Sequence, residues 1–228
     1  MLRKIKQSIR LTNEIYWGQI FDYATRDSEW LKKQTLNVGR WAMGFPALYL
    51  LYRILSDIRP QNILEFGLGE SSKLTTQYYS HYEDVCVTVI EQDEQWRDIF
   101  CKSYEDAREL IRILPLSVTK YHKHPHYSYS GLLPYVADKK YDLIIIDGPW
   151  GSKYHSRNQI LEIVENGLIA EDFIIIMDDS ERNGEKETLK KLYALLKSKN
   201  ISFLKKKYSG GKDTTVICSP KLKFLTSL

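Results

Sequence analysis

The chain has 228 residues, of which 43% are hydrophobic and 27% are charged, so it can bury one large core but is short for two full domains. It has no run of about 18 apolar residues, which argues against a membrane-spanning helix. The three cysteines lie far apart, in apolar or helical stretches, and their pattern indicates neither a zinc site nor a disulfide framework.

The net charge is +4, and much of the excess lies late in the chain. We interpret the late lysines as a solvated helix face and a lysine-rich loop rather than as a nucleic-acid surface. These lysines are Lys190, Lys191, Lys197, Lys199, Lys205, Lys206, Lys207 and Lys212. The basic N-terminal segment lacks the apolar stretch of a secretory signal, and unpaired cysteines suit a reducing compartment, so we expect a cytoplasmic protein.

Residues 1–60 are predicted to form a helical extension. Apolar residues at Leu48, Leu51, Leu55 and Ile58 recur at helical spacing before Pro60 ends the segment. We expect this extension to pack on a single domain formed by residues 61–228.

Short apolar runs alternate with amphipathic stretches after residue 60. We predict strands over 62–66, 85–90, 113–121, 141–146 and 173–177, helices over 70–79, 94–110, 157–165 and 185–198, and a closing hairpin from 201–208 and 214–218. The runs LIIID and FIIIMD do not alternate with polar residues, which is typical of central parallel strands buried on both faces. The pattern predicts a doubly wound α/β sheet, in which ligands bind beyond the carboxyl ends of the strands.

The first strand ends in a glycine-containing turn that could hold a ligand. Glu65 is followed by Gly67 and Gly69, and Ser71 and Ser72 open the next helix. Glycines let the backbone approach a ligand closely, and the free N–H groups of a helix start favour a carboxylate or a phosphate. The alternative is an ordinary strand-to-helix turn without a ligand.

The second strand supplies Glu91, whose carboxylate could accept hydrogen bonds from both ribose hydroxyls of an adenosine. A solvated loop carboxylate is the alternative. Ser72 stands where a dinucleotide fingerprint has its third glycine or alanine, which disfavours a nicotinamide cofactor. Glu65 suits a cationic ligand, and S-adenosylmethionine carries an ammonium and a carboxylate in place of a pyrophosphate.

Four segments in order, LEFGLGESSKL, VTVIEQD, YDLIIIDGPWG and IIIMDDSERNGE, resemble the motif series of class I S-adenosylmethionine-dependent methyltransferases. The DGP and DDSER segments narrow the resemblance to small polysaccharide-associated methyltransferases of the glucuronoxylan O-methyltransferase type. The resemblance implies a Rossmann-like, seven-stranded sheet whose last strand is antiparallel. It also implies ribose binding by Glu91 and methionine binding around Glu65, Gly67 and Gly69, next to the helix start at Ser71 and Ser72.

Carboxylates follow the two strongest strands, Asp147 after one and Asp178 with Asp179 after the other. The resemblance makes these strands neighbours, and neighbouring strands lie about 4.8 Å apart, so the carboxylates can converge. Their repulsion calls for a proton or a cation, and an all-oxygen set favours Mg²⁺, Mn²⁺ or Ca²⁺. A divalent cation would lower the pKa of an acceptor hydroxyl. The alternative is that Asp147 orients the cofactor while Asp178 and Asp179 cap a loop.

The polar segment after Asp147 could fold over the site as a lid. His155 in this segment has a pKa suited to general-base catalysis, with an uninvolved surface histidine as the alternative. Arg157 could clamp a carboxylate or phosphate of the acceptor. Asp147, His155 and Arg157 are therefore the catalytic candidates.

Two further sets of side chains are weaker candidates. Histidines at positions 122, 124 and 126 alternate, and we expect them in a solvent-exposed loop rather than a metal site. The tyrosines at positions 127, 129 and 135 could line an acceptor groove.

These features predict a methyltransferase that uses S-adenosylmethionine, with Mg²⁺ or Mn²⁺ as a further hypothesis, and acts on a hydroxyl of a saccharide or another small acceptor. A non-catalytic cofactor-binding module and an RNA methyltransferase are the alternatives. A nicotinamide-dependent oxidoreductase ranks behind both. The composition disfavours a nucleic-acid partner and leaves a homodimer open.

Overall fold

The computed structural model describes residues 2–32, 34–39 and 41–228. Its α-helices are α1 Leu2–Thr25, α2 Phe45–Arg53, α3 Glu70–His81, α4 Glu94–Cys101, α5 Leu133–Val136, α6 Gln159–Glu165 and α7 Asn183–Ser198. Its strands are β1 Asn62–Phe66, β2 Cys86–Glu91, β3 Ile111–Ile113, β4 Leu116–Tyr121, β5 His124–Tyr129, β6 Tyr141–Ile146, β7 Ile169–Met177, β8 Leu204–Ser209 and β9 Asp213–Cys218. Within these described ranges, no helix has both the length and the hydropathy to cross a membrane.

Seven strands form one sheet in the order β3-β2-β1-β6-β7-β9-β8. Strands β3, β2, β1, β6 and β7 run parallel, whereas β9 is antiparallel to both of its neighbours. Parallel neighbours require crossover connections, which place helices on the faces of the sheet. The predicted doubly wound sheet with an antiparallel last strand is confirmed.

Each central strand contributes side chains to two hydrophobic cores. Leu143 and Ile145 of β6 point into the core on the side of α1, α2 and α3, whereas Ile144 and Ile146 point into the core on the side of α6 and α7. This two-sided burial is why the strand lacks polar alternation. The N-terminal segment contributes Phe21 to the first of these cores.

The region between β2 and β6 differs from the sequence prediction. The helix expected over 94–110 ends at Cys101, and a short 3₁₀ turn over Glu105–Glu109 follows it. The strand expected over 113–121 is divided at Pro115. Its first part lies in the large sheet as β3, and the rest pairs as β4 with β5 in a separate two-stranded sheet. Proline has no N–H for a central ladder, and the pairing partner of β4 is the adjacent segment rather than the sheet.

The register of the parallel strands brings their carboxyl ends together. Phe66 is paired with Ile146, and Ile146 with Met177, so the next residue of each strand emerges at the same edge of the sheet. Backbone hydrogen bonds continue this alignment by one residue, from the Asp147 N–H to the Phe66 carbonyl and from the Asp178 N–H to the Ile146 carbonyl. The polar residues that follow β1, β6 and β7 are therefore neighbours.

Candidate active site

Glu65 is a fully buried carboxylate at the end of β1. It accepts hydrogen bonds from the hydroxyls of Ser71 at 2.5 Å, Ser72 at 2.9 Å and Thr75 at 2.8 Å. Burial raises the pKa of Glu65 to about 7, although the three hydroxyls oppose this rise. The side chain thus ties the first turn of α3 to β1 and has no surface with which to contact a ligand directly.

The turn between β1 and α3 has little space on one side and open space on the other. Gly67 has a φ of +92°, and a Cβ on it would lie 2.8 Å from the backbone nitrogen of Gly148. Only glycine accommodates both this conformation and this contact. A Cβ on Gly69 would meet no atom within 4 Å. The turn is therefore packed against the end of β6 and is accessible to a ligand at Gly69.

Glu91 lies at the end of β2 and is 3% exposed. Its carboxylate accepts hydrogen bonds from the backbone N–H of Leu68 at 2.8 Å, Gln92 at 2.7 Å and Asp93 at 2.9 Å. The Trp96 indole N–H also binds this turn, at the carbonyl of Leu68 at 2.8 Å. Burial raises the pKa of Glu91, against these hydrogen bonds. The acid predicted to bind ribose thus connects β2 directly to the glycine turn.

Asp147, Asp178 and Asp179, the aspartate cluster, converge as the sheet register requires. One carboxylate oxygen from each lies within 4.8 Å of the others. The Arg157 Nη2 atom lies 3.2 Å from Asp147 Oδ1 and 3.1 Å from Asp179 Oδ2. The Lys212 Nζ atom lies 3.4 Å from Asp178 Oδ2 and 3.2 Å from Asp179 Oδ1. Arg182 Nη1 also lies 2.9 Å from Asp179 Oδ2, so three cations of the protein lie against the cluster.

Arg157 is almost enclosed, with only 5% of its side chain exposed. Its guanidinium also donates to the carbonyls of Pro149 at 3.4 Å and Asp178 at 3.2 Å, and its Nε lies 3.9 Å from a carboxylate oxygen of Glu185. The structure thus pairs this side chain with internal acids of the protein.

Burial and like charge determine the proton affinities in the cluster. Desolvation raises the pKa of Asp147 and of Asp178, while the neighbouring cations oppose the rise. Desolvation also raises the pKa of Glu185, whose side chain is fully buried, against the attraction of Arg157. Arg157, Lys212 and Arg182 match the three aspartates in charge, and Glu185 adds a further buried acid beside Arg157.

His155 lies on the α7 side of the loop after β6. Its Nδ1 lies 3.4 Å from Glu187 Oε2 and its Nε2 lies 3.4 Å from Lys191 Nζ. Burial, followed by the charge of Lys191, lowers its pKa. In the described part of the chain, its hydrogen bonds and ion pairs do not include Asp147, so the structure does not bring these two candidates together.

The histidines expected in a solvent-exposed loop instead belong to the β4–β5 hairpin. His122 is in its turn, while His124 and His126 are in β5. His126 Nε2 lies 3.1 Å from the carbonyl oxygen of His155, and His124 Nε2 lies 3.0 Å from Lys153 Nζ. The hairpin therefore packs against the loop after β6. Among the described residues, the aspartate cluster alone has the spacing of a metal site.

Sequence reasoning missed two residues of this region and misplaced a third. Lys212 was grouped with solvated lysines, but only 10% of its side chain is exposed. Glu185 and Thr214 carried no signal in the sequence; Glu185 is buried beside Arg157, and Thr214 donates to Asp178 Oδ1 at 2.7 Å. Of the tyrosines, Tyr129 is 3% exposed rather than lining an open groove.

The fold is shared with solved methyltransferases, whereas no family model and no curated protein sequence matches the chain. The O-methyltransferase TomG of Streptomyces achromogenes, involved in tomaymycin synthesis and solved with SAM, is 13% identical with a TM-score of 0.61, over 90% of this chain and 98% of that one. A caffeoyl-CoA O-methyltransferase candidate from Staphylococcus aureus is 19% identical with a TM-score of 0.53, over 96% and 97% of the two chains. An O-methyltransferase from Bacillus cereus, solved with SAH, is 15% identical with a TM-score of 0.53, over 91% and 90%. At these identities the likeness establishes a Rossmann-like methyltransferase fold.

Proposed function

We propose that this protein transfers a methyl group from S-adenosylmethionine to a hydroxyl of a small acceptor. The observation that carries the proposal is the position of a partly exposed acid, Asp147, beside a glycine turn that Glu91 ties to the neighbouring strand. Structures with the same fold hold SAM or SAH. A saccharide is the acceptor class that the DGP and DDSER segments favour.

Each part of the cofactor has a matching group at the carboxyl edge of the sheet. Glu91 accepts the ribose hydroxyls, and the open side of the turn at Gly69 receives the methionine portion. The hydroxyls of Ser71 and Ser72 are already donated to Glu65, so these residues contribute their backbone N–H groups and the positive end of α3 to the cofactor carboxylate. Glu65 acts by holding this helix start in place.

The chemistry requires alignment and a proton acceptor. The acceptor oxygen forms a bond to the methyl carbon as the carbon–sulfur bond breaks, which leaves S-adenosylhomocysteine. The hydroxyl proton passes to Asp147, because burial raises the pKa of this carboxyl group toward that of a useful base. Arg157 holds Asp147 from the protein side.

A divalent cation at the aspartate cluster is a separate hypothesis. Three aspartate oxygens within 4.8 Å of one another have the chemistry of a Mg²⁺ or Mn²⁺ site. The positive charge of a divalent ion does not fit this cluster, since the side chains of Arg157 and Lys212 already lie against these oxygens. We therefore assign no step of the reaction to a metal ion.

Calorimetry and turnover test the proposal together. The purified protein should bind S-adenosylhomocysteine in the micromolar range and should not bind NAD, and Glu91→Ala should weaken this binding. Asp147→Asn should retain cofactor binding but lose turnover with a panel of hydroxylated acceptors that includes saccharides and RNA. Turnover that survives unchanged in Asp147→Asn would refute the mechanism. Binding without turnover on any acceptor would favour the non-catalytic module, and turnover on RNA alone would favour an RNA methyltransferase.

A further inference from the structure

We propose that Lys212 is the built-in cation of the aspartate cluster and occupies the place that a divalent metal ion would need. The catalytic consequence, methyl transfer without a metal, rests on the function proposed above. The position of the cation does not, because it follows from contacts within the chain.

The contacts of Lys212 are those of a buried counter-ion. Its Nζ lies between the facing oxygens of two aspartates, 3.4 Å from Asp178 Oδ2 and 3.2 Å from Asp179 Oδ1, and 3.4 Å from the carbonyl oxygen of Trp41. Only 10% of the side chain is exposed. A lysine is rarely withdrawn from water to this extent unless its charge is paired.

The remaining oxygens of Asp178 and Asp179 also have partners. Thr214 donates to Asp178 Oδ1 at 2.7 Å. Arg157 and Arg182 both approach Asp179 Oδ2, at 3.1 Å and 2.9 Å. All four oxygens of the two aspartates are therefore next to a donor or a cation from the protein.

A divalent ion would compete with Lys212 for the same atoms. Mg²⁺ lies about 2.1 Å from its oxygen ligands, so an ion shared by Asp178 and Asp179 would take the position of the ammonium. If the Lys212 ammonium and a divalent ion were both present, their repulsion in this poorly solvated site would oppose binding of the ion. The ammonium supplies positive charge here, and Asp147, whose side chain keeps 16% of its surface exposed, stays available for the acceptor proton.

The topology explains how a residue so far along the chain reaches this edge. Lys212 directly precedes β9, which returns antiparallel to β7, with Thr215 opposite Met177. The turn before β9 is held from one side by the Ser180 N–H, which donates to the Asp213 carbonyl at 2.8 Å. It is held from the other by Glu14 of α1, which accepts from the Gly211 N–H at 2.6 Å. These contacts fix the backbone from which the ammonium extends.

Binding of Mn²⁺, followed by electron paramagnetic resonance, tests the proposal without any methyl transfer. We compare the wild-type protein with Lys212→Met, with Lys212→Arg and with the control Lys207→Met, which removes a half-exposed lysine of the same hairpin. Lys212→Met should bind Mn²⁺ at least about a hundredfold more tightly than the other three proteins, because one positive charge has left the site. Asp178→Asn in the Lys212→Met background should abolish this binding.

Two results would overturn the proposal: wild-type binding as tight as that of Lys212→Met, or absence of Mn²⁺ binding in a folded Lys212→Met protein. If Lys212→Met does not fold, Mn²⁺ binding by the wild-type protein still tests the proposal. Tight Mn²⁺ binding that is lost in Asp178→Asn contradicts the proposal, and its absence in both wild type and Lys212→Arg supports it.

Turnover supplies a second readout. Wild-type activity should be unchanged in the presence of a chelator, whereas Lys212→Met should lose activity and regain it with Mn²⁺. A residue with a merely structural role would give a loss that no ion restores. If no condition gives turnover while the Mn²⁺ results hold, the proposed function fails and the role of Lys212 as internal cation stands.

Discussion

Replacing Glu65 by glutamine should remove a specific dependence of protein stability on pH. The carboxyl group is fully buried, and burial raises its pKa from 4.5 to about 7. Between these two values the folded protein retains a proton that the unfolded chain has lost. The contribution of Glu65 to the free energy of unfolding is therefore present at low pH and is lost as pH rises through this window.

The size of the effect follows from the two pKa values. Their difference corresponds to about 3 kcal/mol, of which about 2.5 kcal/mol falls between pH 5 and pH 8. Glutamine does not titrate, so its variant lacks this contribution. The amide also disturbs one of the three hydroxyl hydrogen bonds, but that offset is the same at both pH values and cancels in the comparison.

The assay is urea unfolding, followed by circular dichroism, at about pH 5 and about pH 8. On going from the lower to the higher pH, the wild type should lose about 2.5 kcal/mol relative to Glu65→Gln. Glu83→Gln, at an exposed glutamate before β2, should behave like the wild type. Parallel pH profiles of the wild type and Glu65→Gln, within about 0.5 kcal/mol, would refute the reasoning.

Four further predictions test the packing and charge of the site. An added Cβ in Gly148→Ala would lie 2.7 Å from backbone atoms of the glycine turn, so this variant should lose both thermal stability and cofactor binding. Gly69→Ala has no atom within 4 Å of its Cβ and should stay stable but bind S-adenosylhomocysteine more weakly in calorimetry; undiminished binding would remove Gly69 from the cofactor site. Arg157→Met should cost about 3–5 kcal/mol in urea unfolding because it leaves buried acids unpaired, while Arg182→Met, at a side chain 40% exposed, should cost about 1 kcal/mol or less; equal losses would contradict this difference. Turnover should rise with pH across the neutral range, because burial raises the pKa of Asp147 and only its deprotonated form accepts a proton; a flat profile would exclude this role.

The sheet and its functional edge could be read from the sequence because their causes are local. A run such as LIIID has no polar alternation because its strand contacts two cores, and that pattern also indicates a parallel neighbour. Polar residues that directly follow such strands, among them Asp147 and Asp178, must then emerge at one edge. To predict their convergence also required the strand order, which the resemblance to methyltransferases implied, and the spacing between neighbouring strands.

The region between β2 and β6 could not be read in this way. The segment 113–121 has strand-forming residues, but nothing local specifies which partner it pairs with. Its second part pairs with β5 across a two-residue turn at His122 and Lys123, and Pro125 is tolerated there because the hairpin has only two strands. The strand with which this segment pairs depends on the tertiary arrangement of the whole region.

Outside the region between β2 and β6, the sequence by itself determined the strands and helices, the glycine turn and the carboxylates at the strand ends, since each depends on a residue and its near neighbours. Only the tertiary structure decided which charges meet. Arg157 and Lys212 each have a flexible side chain that is equally suited to water or to a buried acid, so the sequence cannot tell the two environments apart. The antiparallel return of β9 brings Lys212 over Asp178 and Asp179, and that long-range contact separates this lysine from the solvated ones around it.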